Sequence, residues 1–380
     1  MSAEPLEEVR VGIIGPSWWV DYWHLAGIKN HPAAEIHAVC GGTARTAGDV
    51  TRKYGVQARY FTNYDEMLDC VPLDGIIVCT PNDLHHPATM AALRRGLHVL
   101  TEKPVAMNAD QAQEMADTAD ERGLIGMTNF PYRDNPAVQE CRRRVAAGYI
   151  GKILHISGQY HGGFGLRRSP NWRASRERSG AGILGDLGSH LIDLARFVTA
   201  DEFAAVSAHS LTVLHGDKGI DSVIRTEDPR AGSRNDDSCA FLSEFQSGAQ
   251  GVFHTSWIAY QGAYRQHQEL EIYGTEGRIH FMANHSGTML RGMRNSDDPR
   301  WKILPVEDIT LPQETQDEED WFRPNRNNES GTTYRWLEAI RTRQSTVSPD
   351  LRDGWRSQQV IDAVIRASAE RRWIDIGPAA

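Results

Sequence analysis

Residues 75–104 read GIIVCTPNDLHHPATMAALRRGLHVLTEKP. The run GIIVCT at 75–80 has the length and apolar content of a buried strand. HPATMAALRRG at 86–96 carries a helical pattern, and HVLT at 98–101 is again strand-like. A strand, a helix and a strand in so short a span make a βαβ unit with parallel strands. Lys103 then stands at the carboxyl end of a parallel strand, the edge at which open α/β sheets bind ligands. Glu102 beside it is placed to orient the ammonium, and Pro104 fixes the turn.

Outward from this unit the pattern repeats. VRVGIIG (9–15), AEIHAVC (34–40) and LIGMTNF (124–130) read as strands. HLAGIKNH (24–31), ARTAGDVTRKYG (44–55) and ADQAQEMADTADERG (109–123) read as helices, and ARYFTNYDEMLD (58–69) as a short strand and helix. Repeated βα units with continuously apolar strands predict a parallel sheet covered on both faces. Beyond residue 131 the texture changes. KILHISGQYHGG (152–163), AAVSAHSLTVLH (204–215), SCAFLSEFQSGAQGVFHTSWIA (238–259) and QELEIYGTEGRIHFM (268–282) alternate apolar and polar residues. Turn signals stand at Ser247–Gly248 and Gly274–Gly277. Residues 283–331 are polar and read as a long surface excursion, and two helical stretches, 332–343 and 352–372, close the chain. These patterns predict a doubly wound α/β domain over 1–131, then a second domain over 132–380 built on an antiparallel sheet with one face covered. An apolar sheet face of that kind is too large to leave wet, so a homodimer or homotetramer is expected.

The 380 residues carry a net charge of −9, which argues against a nucleic-acid surface while leaving room for a local basic pocket. The five cysteines are scattered with no CxxC pair, so neither zinc nor a disulfide framework is suggested, and no metal is expected. The acidic start MSAEPLEEVR is unlike a signal peptide, and no apolar run reaches membrane-spanning length. A cytoplasmic protein is expected.

The first strand runs into Gly15-Pro16-Ser17-Trp18-Trp19. A dinucleotide turn of GxGxxG type would place glycines where Ser17 and Val20 stand, so only Gly15 fits. The turn still offers backbone N–H groups to a phosphate. Trp18 and Trp19 either cover the pyrophosphate or anchor a packed loop. After the second strand come Gly41, Gly42, Thr43 and Arg45, with no carboxylate to accept from a ribose. The hydroxyl and the guanidinium tolerate a 2′-phosphate, which favours NADP. With Arg45 solvated at a helix start, NAD would instead bind through backbone contacts. After the third strand, Thr80, Pro81 and Asn82 form a turn expected beside the nicotinamide. His85 either faces the cofactor or starts a helix.

Farther on, GDLGSHLIDLARF places Asp186 and His190 four apart, on one face of a helix. A lysine, an aspartate and a histidine near a dinucleotide form a proton-handling set for alcohol oxidation. His190 is the candidate base, Lys103 the group that stabilises charge on the reacting oxygen, and Asp186 the orienting group, with the roles of His190 and Lys103 open to exchange. A helix cap and a core histidine are the structural alternative. Trp172 and Arg173 precede this helix, Tyr132 and Arg133 follow the last Rossmann strand, and Tyr160 and His161 end a sheet strand. These are further cofactor or substrate candidates, each equally readable as structural. Asn235–Asp236–Asp237 reads as a polar loop or a sugar contact.

VGIIG, VCTPNDLHHPATMAALRRGLHVLTEKP, NFPYRDNPAV and GDLGSHLIDLARF, in this order, resemble the glucose–fructose oxidoreductase/inositol dehydrogenase (Gfo/Idh/MocA) family. The resemblance implies an α/β Rossmann domain over 1–131 followed by an α+β domain over 132–380 with a large open antiparallel sheet for substrate binding and oligomerisation. It also implies NAD(P)-dependent oxidation or reduction of a sugar, polyol or glycoside, with Lys103, Asp186 and His190 at the positions of the family's lysine, aspartate and histidine. Two departures stand out: GPSWW replaces the glycine-rich loop, and Gly41 replaces the ribose-binding acid. Two rival functions remain. One is a glycoside hydrolase that uses NAD transiently. The other is a non-catalytic nucleotide sensor, against which the presence of both Lys103 and His190 argues.

Overall fold

Six parallel strands organise the first part of the chain: β1 Val9–Ile14, β2 Ala34–Cys40, β3 Arg59–Phe61, β4 Gly75–Val78, β5 His98–Thr101 and β6 Gly126–Thr128. Their order is β3-β2-β1-β4-β5-β6. The direction of winding reverses between β1 and β4, which opens a crevice at their carboxyl ends. The computed structural model describes residues 4–42, 58–166, 171–217, 219–260, 266–284, 287–295, 300–306, 331–344 and 347–377. The chain divides into two units: Met1–Pro131 with Pro324–Gln358, and Tyr132–Arg323 with Gln359–Ala380.

In the first unit the strands are apolar on both faces because helices cover both. Helices Tyr64–Cys70 and Ala109–Glu121 start on asparagine caps: Asn63 Oδ1 accepts from the Asp65 and Glu66 N–H groups, and Asn108 Oδ1 from that of Gln111. Helix His85–Arg94 links β4 to β5, as the quoted stretch predicts. The predicted helix at 44–55 lies outside the described residues. The predicted helix at 24–31 is Leu25–Asn30, and it is entered through a π-turn, Val20–His24. Helix Thr332–Thr342 returns to this unit, where Trp336 is fully buried. A Cβ on Gly75 would lie 2.7 Å from the Trp336 ring, so the glycine in β4 makes room for the indole.

The second unit is built on a sheet of order β15-β14-β13-β12-β7-β11-β10-β8-β16, with β9 beside β8. The strands are β7 Ile153–His161, β8 Phe203–Gly216, β9 Gly219–Arg225, β10 Ser238–Phe245, β11 Gln250–Ser256, β12 His267–Gly274, β13 Gly277–Asn284, β14 Gly287–Arg294, β15 Lys302–Ile303 and β16 Ile374–Asp375. Both expected hairpin turns are present, between β10 and β11 and between β12 and β13. The expected open sheet is present, with two differences of detail. The sheet is mixed, because β11 runs parallel to β7; alternation tells which face a residue occupies, not the direction of the neighbouring strand. The excursion expected at 283–331 contains a strand, β14, paired with β13 so that Leu290 meets Phe281. One buried leucine among glycines, methionines and arginines left little alternation to read.

One face of this sheet packs under helices Pro136–Ala146 and Ser189–Thr199. Phe203, Phe241, Phe245 and Phe253 form its aromatic centre, with Phe241 and Phe253 stacked at 4.9 Å. On the other face Leu242 and Val252 are paired in register and are 48% and 55% exposed. No helix among the described residues is long and apolar enough to cross a membrane. The five cysteines are free thiols, four of them buried.

Candidate active site

In the first unit the predicted residues gather at the carboxyl edge of β1, β4 and β5. Gly15 has φ +86°, and a Cβ there would lie 2.6 Å from the Cys79 carbonyl, so the turn admits only glycine. Pro16 and Ser17 continue the turn, with Ser17 Oγ 3.5 Å from Cys79 Sγ. Gly41 donates its N–H to the Phe61 carbonyl, and Gly42 is open to solvent. Thr43 and Arg45 lie outside the described residues. Thr80 Oγ1 is buried without a hydrogen-bond partner at this edge, between Gly15 and Pro81. A buried orphan hydroxyl beside a glycine turn suits a polar ligand that supplies its partner, and a dinucleotide meets that requirement. Asn82 is buried in the turn Asn82–Leu84. His85 is 1% exposed, with Nδ1 2.8 Å from the Pro104 carbonyl and Nε2 3.0 Å from that of Thr80. It ties the loops after β4 and β5 together, and burial holds it below the ordinary imidazole value.

Glu102, 5% exposed, is the hub. Its Oε1 lies 2.8 Å from Trp19 Nε1, 2.6 Å from Asn129 Nδ2 and 3.0 Å from His24 Nε2. Its Oε2 accepts the Lys103 N–H at 3.3 Å. Burial pushes this carboxyl up, but His24, the Lys103 charge and Asn129 together bring it below the usual carboxylate range. Trp19 is therefore engaged by its indole N–H, whereas Trp18 is 60% exposed and meets Trp19 edge-on at 5.1 Å.

In the second unit the residue spacing acquires a local twist. Asp186 lies in a π-turn, Leu184–Gly188, and His190 in the α-helix that follows, Ser189–Thr199. The pair is four apart but not on one continuous α-helical face. His190 is 4% exposed, its ring edge-on to Tyr132 at 4.7 Å. Tyr160 donates to Gln266 Oε1 at 2.9 Å and stands 2.6 Å from the Tyr132 hydroxyl. Burial, opposed by the Tyr160 hydrogen bond and aided by the Asp186 charge, pushes Tyr132 up to about 12. Tyr160 is also raised, so both phenols stay protonated at neutral pH. Asp186 Oδ2 lies 3.4 Å from Arg173 Nε, and Arg173 stacks on Trp172 at 4.4 Å. Tyr160 and His161 point to opposite faces of β7. Only Tyr160 joins the His190 cluster; His161 pairs with His254 at 2.9 Å. Arg133 forms a bidentate pair with Asp193, both buried.

Asn235–Asp236–Asp237, left open between polar loop and sugar contact, is internal scaffolding. Asp236 accepts the Gly182 and Leu184 N–H groups, each at 2.9 Å, and so fixes the entry to the turn bearing Asp186. Asp237 accepts from Val213 N–H and Trp257 Nε1. Asn235 reaches the Ser179 hydroxyl at 2.8 Å. Sequence reasoning also passed over His24 and Asp193. A histidine inside an aromatic run and an aspartate inside an apolar helix are the signals they carry. Two His/Cys/Asp/Glu groupings compact enough for a metal occur among the described residues, His24–Cys79–Glu102 and Glu8–Glu35–His37.

Two family models match in succession. Residues 9–130 match the oxidoreductase family with NAD-binding Rossmann fold, and residues 138–280 the GFO/IDH/MocA C-terminal domain. Levoglucosan dehydrogenase of Pseudarthrobacter phenanthrenivorans is 27% identical over 392 aligned residues, covering 98% of this chain and 99% of the relative. D-glucoside 3-dehydrogenase of Escherichia coli is 34% identical, covering 55% of this chain and 59% of the relative. A levoglucosan dehydrogenase structure, in complex with NADH and levoglucosan, superposes with a TM-score of 0.82 at 24% identity, over 98% of this chain and 100% of the other. That likeness concerns the fold.

Proposed function

The chain belongs to the Gfo/Idh/MocA oxidoreductase family, and from this premise we propose that it is an NAD(P)-dependent dehydrogenase or reductase acting on a hydroxyl or keto carbon of a sugar, polyol or glycoside. The observation that carries the reading is Glu102-Lys103 at the carboxyl edge of β5, with the glutamate locked by three side-chain donors. The names of the relatives support the substrate class: a levoglucosan dehydrogenase, a D-glucoside 3-dehydrogenase and an inositol 2-dehydrogenase. In this reading the first unit binds the dinucleotide, and the second binds substrate and forms the subunit interface.

When bound, a nicotinamide supplies the hydride acceptor or donor. The rest falls to the chain. His190, enclosed by Tyr132 and Tyr160, takes the hydroxyl proton at its imidazole. Lys103 supplies an ammonium that stabilises negative charge developing on a reacting oxygen. Asp186, steadied by Arg173, orients the substrate or the imidazole. Tyr132 and Tyr160, held protonated, act as hydrogen-bond donors rather than bases. Gly15 and the neighbouring backbone would hold the pyrophosphate, and Thr80 Oγ1 would gain a partner from the dinucleotide. The open face bearing Leu242 and Val252 is the proposed contact of a homodimer or dimer of dimers; a monomer mass by light scattering at micromolar concentration refutes that assembly.

The test is a screen for A340 change with NAD⁺ and NADP⁺ against monosaccharides, inositols and glycosides. Turnover with one of these compounds is expected, and none across the panel overturns the reading.

A further inference from the structure

We propose that His24 and Trp19 are positioning residues for Lys103, acting through Glu102; the proposal rests on the reading of Lys103 as a proton-handling group. Glu102 collects donors from three separate places in the first unit. Trp19 reaches it from the loop after β1, His24 from the end of the π-turn, and Asn129 from the segment after β6. His24 is fully buried and is fixed in turn by Thr333 Oγ1 at 2.9 Å, on the returning helix Thr332–Thr342. A line of contacts thus runs from Thr333 through His24 and Glu102 to the Lys103 backbone.

The placement follows from the loop that departs from the glycine-rich pattern. A π-turn bonds i to i+5 and displaces the following side chains from their α-helical register. Here it is the turn Val20–His24 that brings an imidazole to the Glu102 carboxylate. Trp19, packed among Trp18, Tyr22 and Trp23, has its indole N–H directed at the same oxygen. Hydrogen bonds to a buried charge are the stronger kind, and losing one leaves the carboxylate free to reorient. Cys79 Sγ also lies near His24 and Glu102, so the three could hold a cation. The Trp19 and Asn129 hydrogens already point at Glu102 Oε1 and would repel a metal there.

The full-length protein is compared with Trp19→Phe, His24→Leu and His24→Gln. With NAD⁺ and a carbohydrate that turns over, Trp19→Phe and His24→Leu should lower kcat by about 10- to 100-fold, the scale of one lost bond to a buried charge, with KM nearly unchanged. His24→Gln, whose amide still donates, should recover most of the loss. A second readout needs no turnover. The chain has six lysines, so trinitrobenzenesulfonate labelling followed by peptide mass spectrometry can report Lys103 against Lys29 and Lys152. Labelling of Lys103 alone should rise severalfold in Trp19→Phe and His24→Leu. If His24→Leu does not fold, Trp19→Phe decides. Unchanged Lys103 labelling in the folded variants overturns the proposal. Stoichiometric zinc in the wild type that His24→Gln loses also overturns it, in favour of a metal site. A wild type that oxidises no carbohydrate refutes the oxidoreductase reading, while the labelling still decides the positioning role.

Discussion

Glu102 in the first unit and Asp236 in the second are both buried carboxylates next to proposed chemistry, but they are used differently. Glu102 gathers three side-chain donors and the backbone N–H of Lys103, so in the proposed role one group both holds structure and positions the lysine. In the second unit these tasks are divided. Asp236 binds two backbone N–H groups at the entry to the turn, while Asp186 stays half-buried, facing Arg173. The difference teaches that stability and chemistry should be separable by mutation in the second unit and entangled in the first.

The largest effects are expected at the proton-handling groups. Lys103→Ala and His190→Ala should each lower kcat by roughly 100-fold or more, the scale for a missing acid–base group, with NADH binding by fluorescence largely retained. Near-full turnover in either variant removes that residue from the mechanism. Next comes the division of labour. Asp236→Ala leaves two buried N–H groups without their acceptor and should lower stability in urea by about 2 kcal/mol. Asp186→Asn should leave the urea midpoint nearly unchanged and lower kcat instead. Equal unfolding of the two variants breaks the comparison.

A smaller effect is expected with pH. Glu102 titrates below its ordinary 4.5 in the folded protein, so its contribution is complete above that value and fades as pH falls through the folded value. His161 is lowered from 6.5 to about 4 by burial and by the neighbouring His254 and His267. The unfolded chain then binds more protons between those values, so this group makes stability rise with pH from about 4 to 6.5 and adds no slope above. Thermal melts of Glu102→Gln should lose the acid-side slope, and those of His161→Gln the slope nearer 6. An unaltered profile in His161→Gln places the titration elsewhere. The smallest effect concerns the cofactor. With Gly41 and Gly42 in place of a carboxylate, NADP(H) should bind at least as tightly as NAD(H), and Gly41→Asp should shift preference toward NAD(H). A clear NAD(H) preference in the unmodified protein, measured by tryptophan quenching, shows that the turn was misread.

The fold was legible where periodicity was strong. The βα repeats around residues 75–104 and the alternation in β10 to β13 each had one consistent reading, and both appear in the structure. What escaped was what periodicity does not encode. The parallel pairing of β11 with β7 depends on chain direction, β14 has a single well-buried leucine, and the return of Trp336 to the first sheet depends on a distant Gly75. The candidate site divides the same way. Lys103, Asp186 and His190 stood in recognisable surroundings. His24 and the role of Asp236 became visible only through hydrogen bonds spanning 78 and 54 residues, which no local pattern carries. The two π-turns, Val20–His24 and Leu184–Gly188, were likewise hidden, because the first lies in a stretch that read as the loop before a helix and the second in one that read as ordinary helix.

Hydride transfer itself is tested most directly with a label. The wild-type protein is incubated with NAD⁺ or NADP⁺ and per-C-deuterated glucosides or inositols, and the cofactor is recovered for mass spectrometry. The account predicts reduced nicotinamide carrying one deuterium, in proportion to the carbohydrate oxidised. Unlabelled cofactor alongside cleaved glycoside would instead establish the transient-NAD hydrolase, and unlabelled cofactor with every carbohydrate intact would contradict the catalytic account altogether.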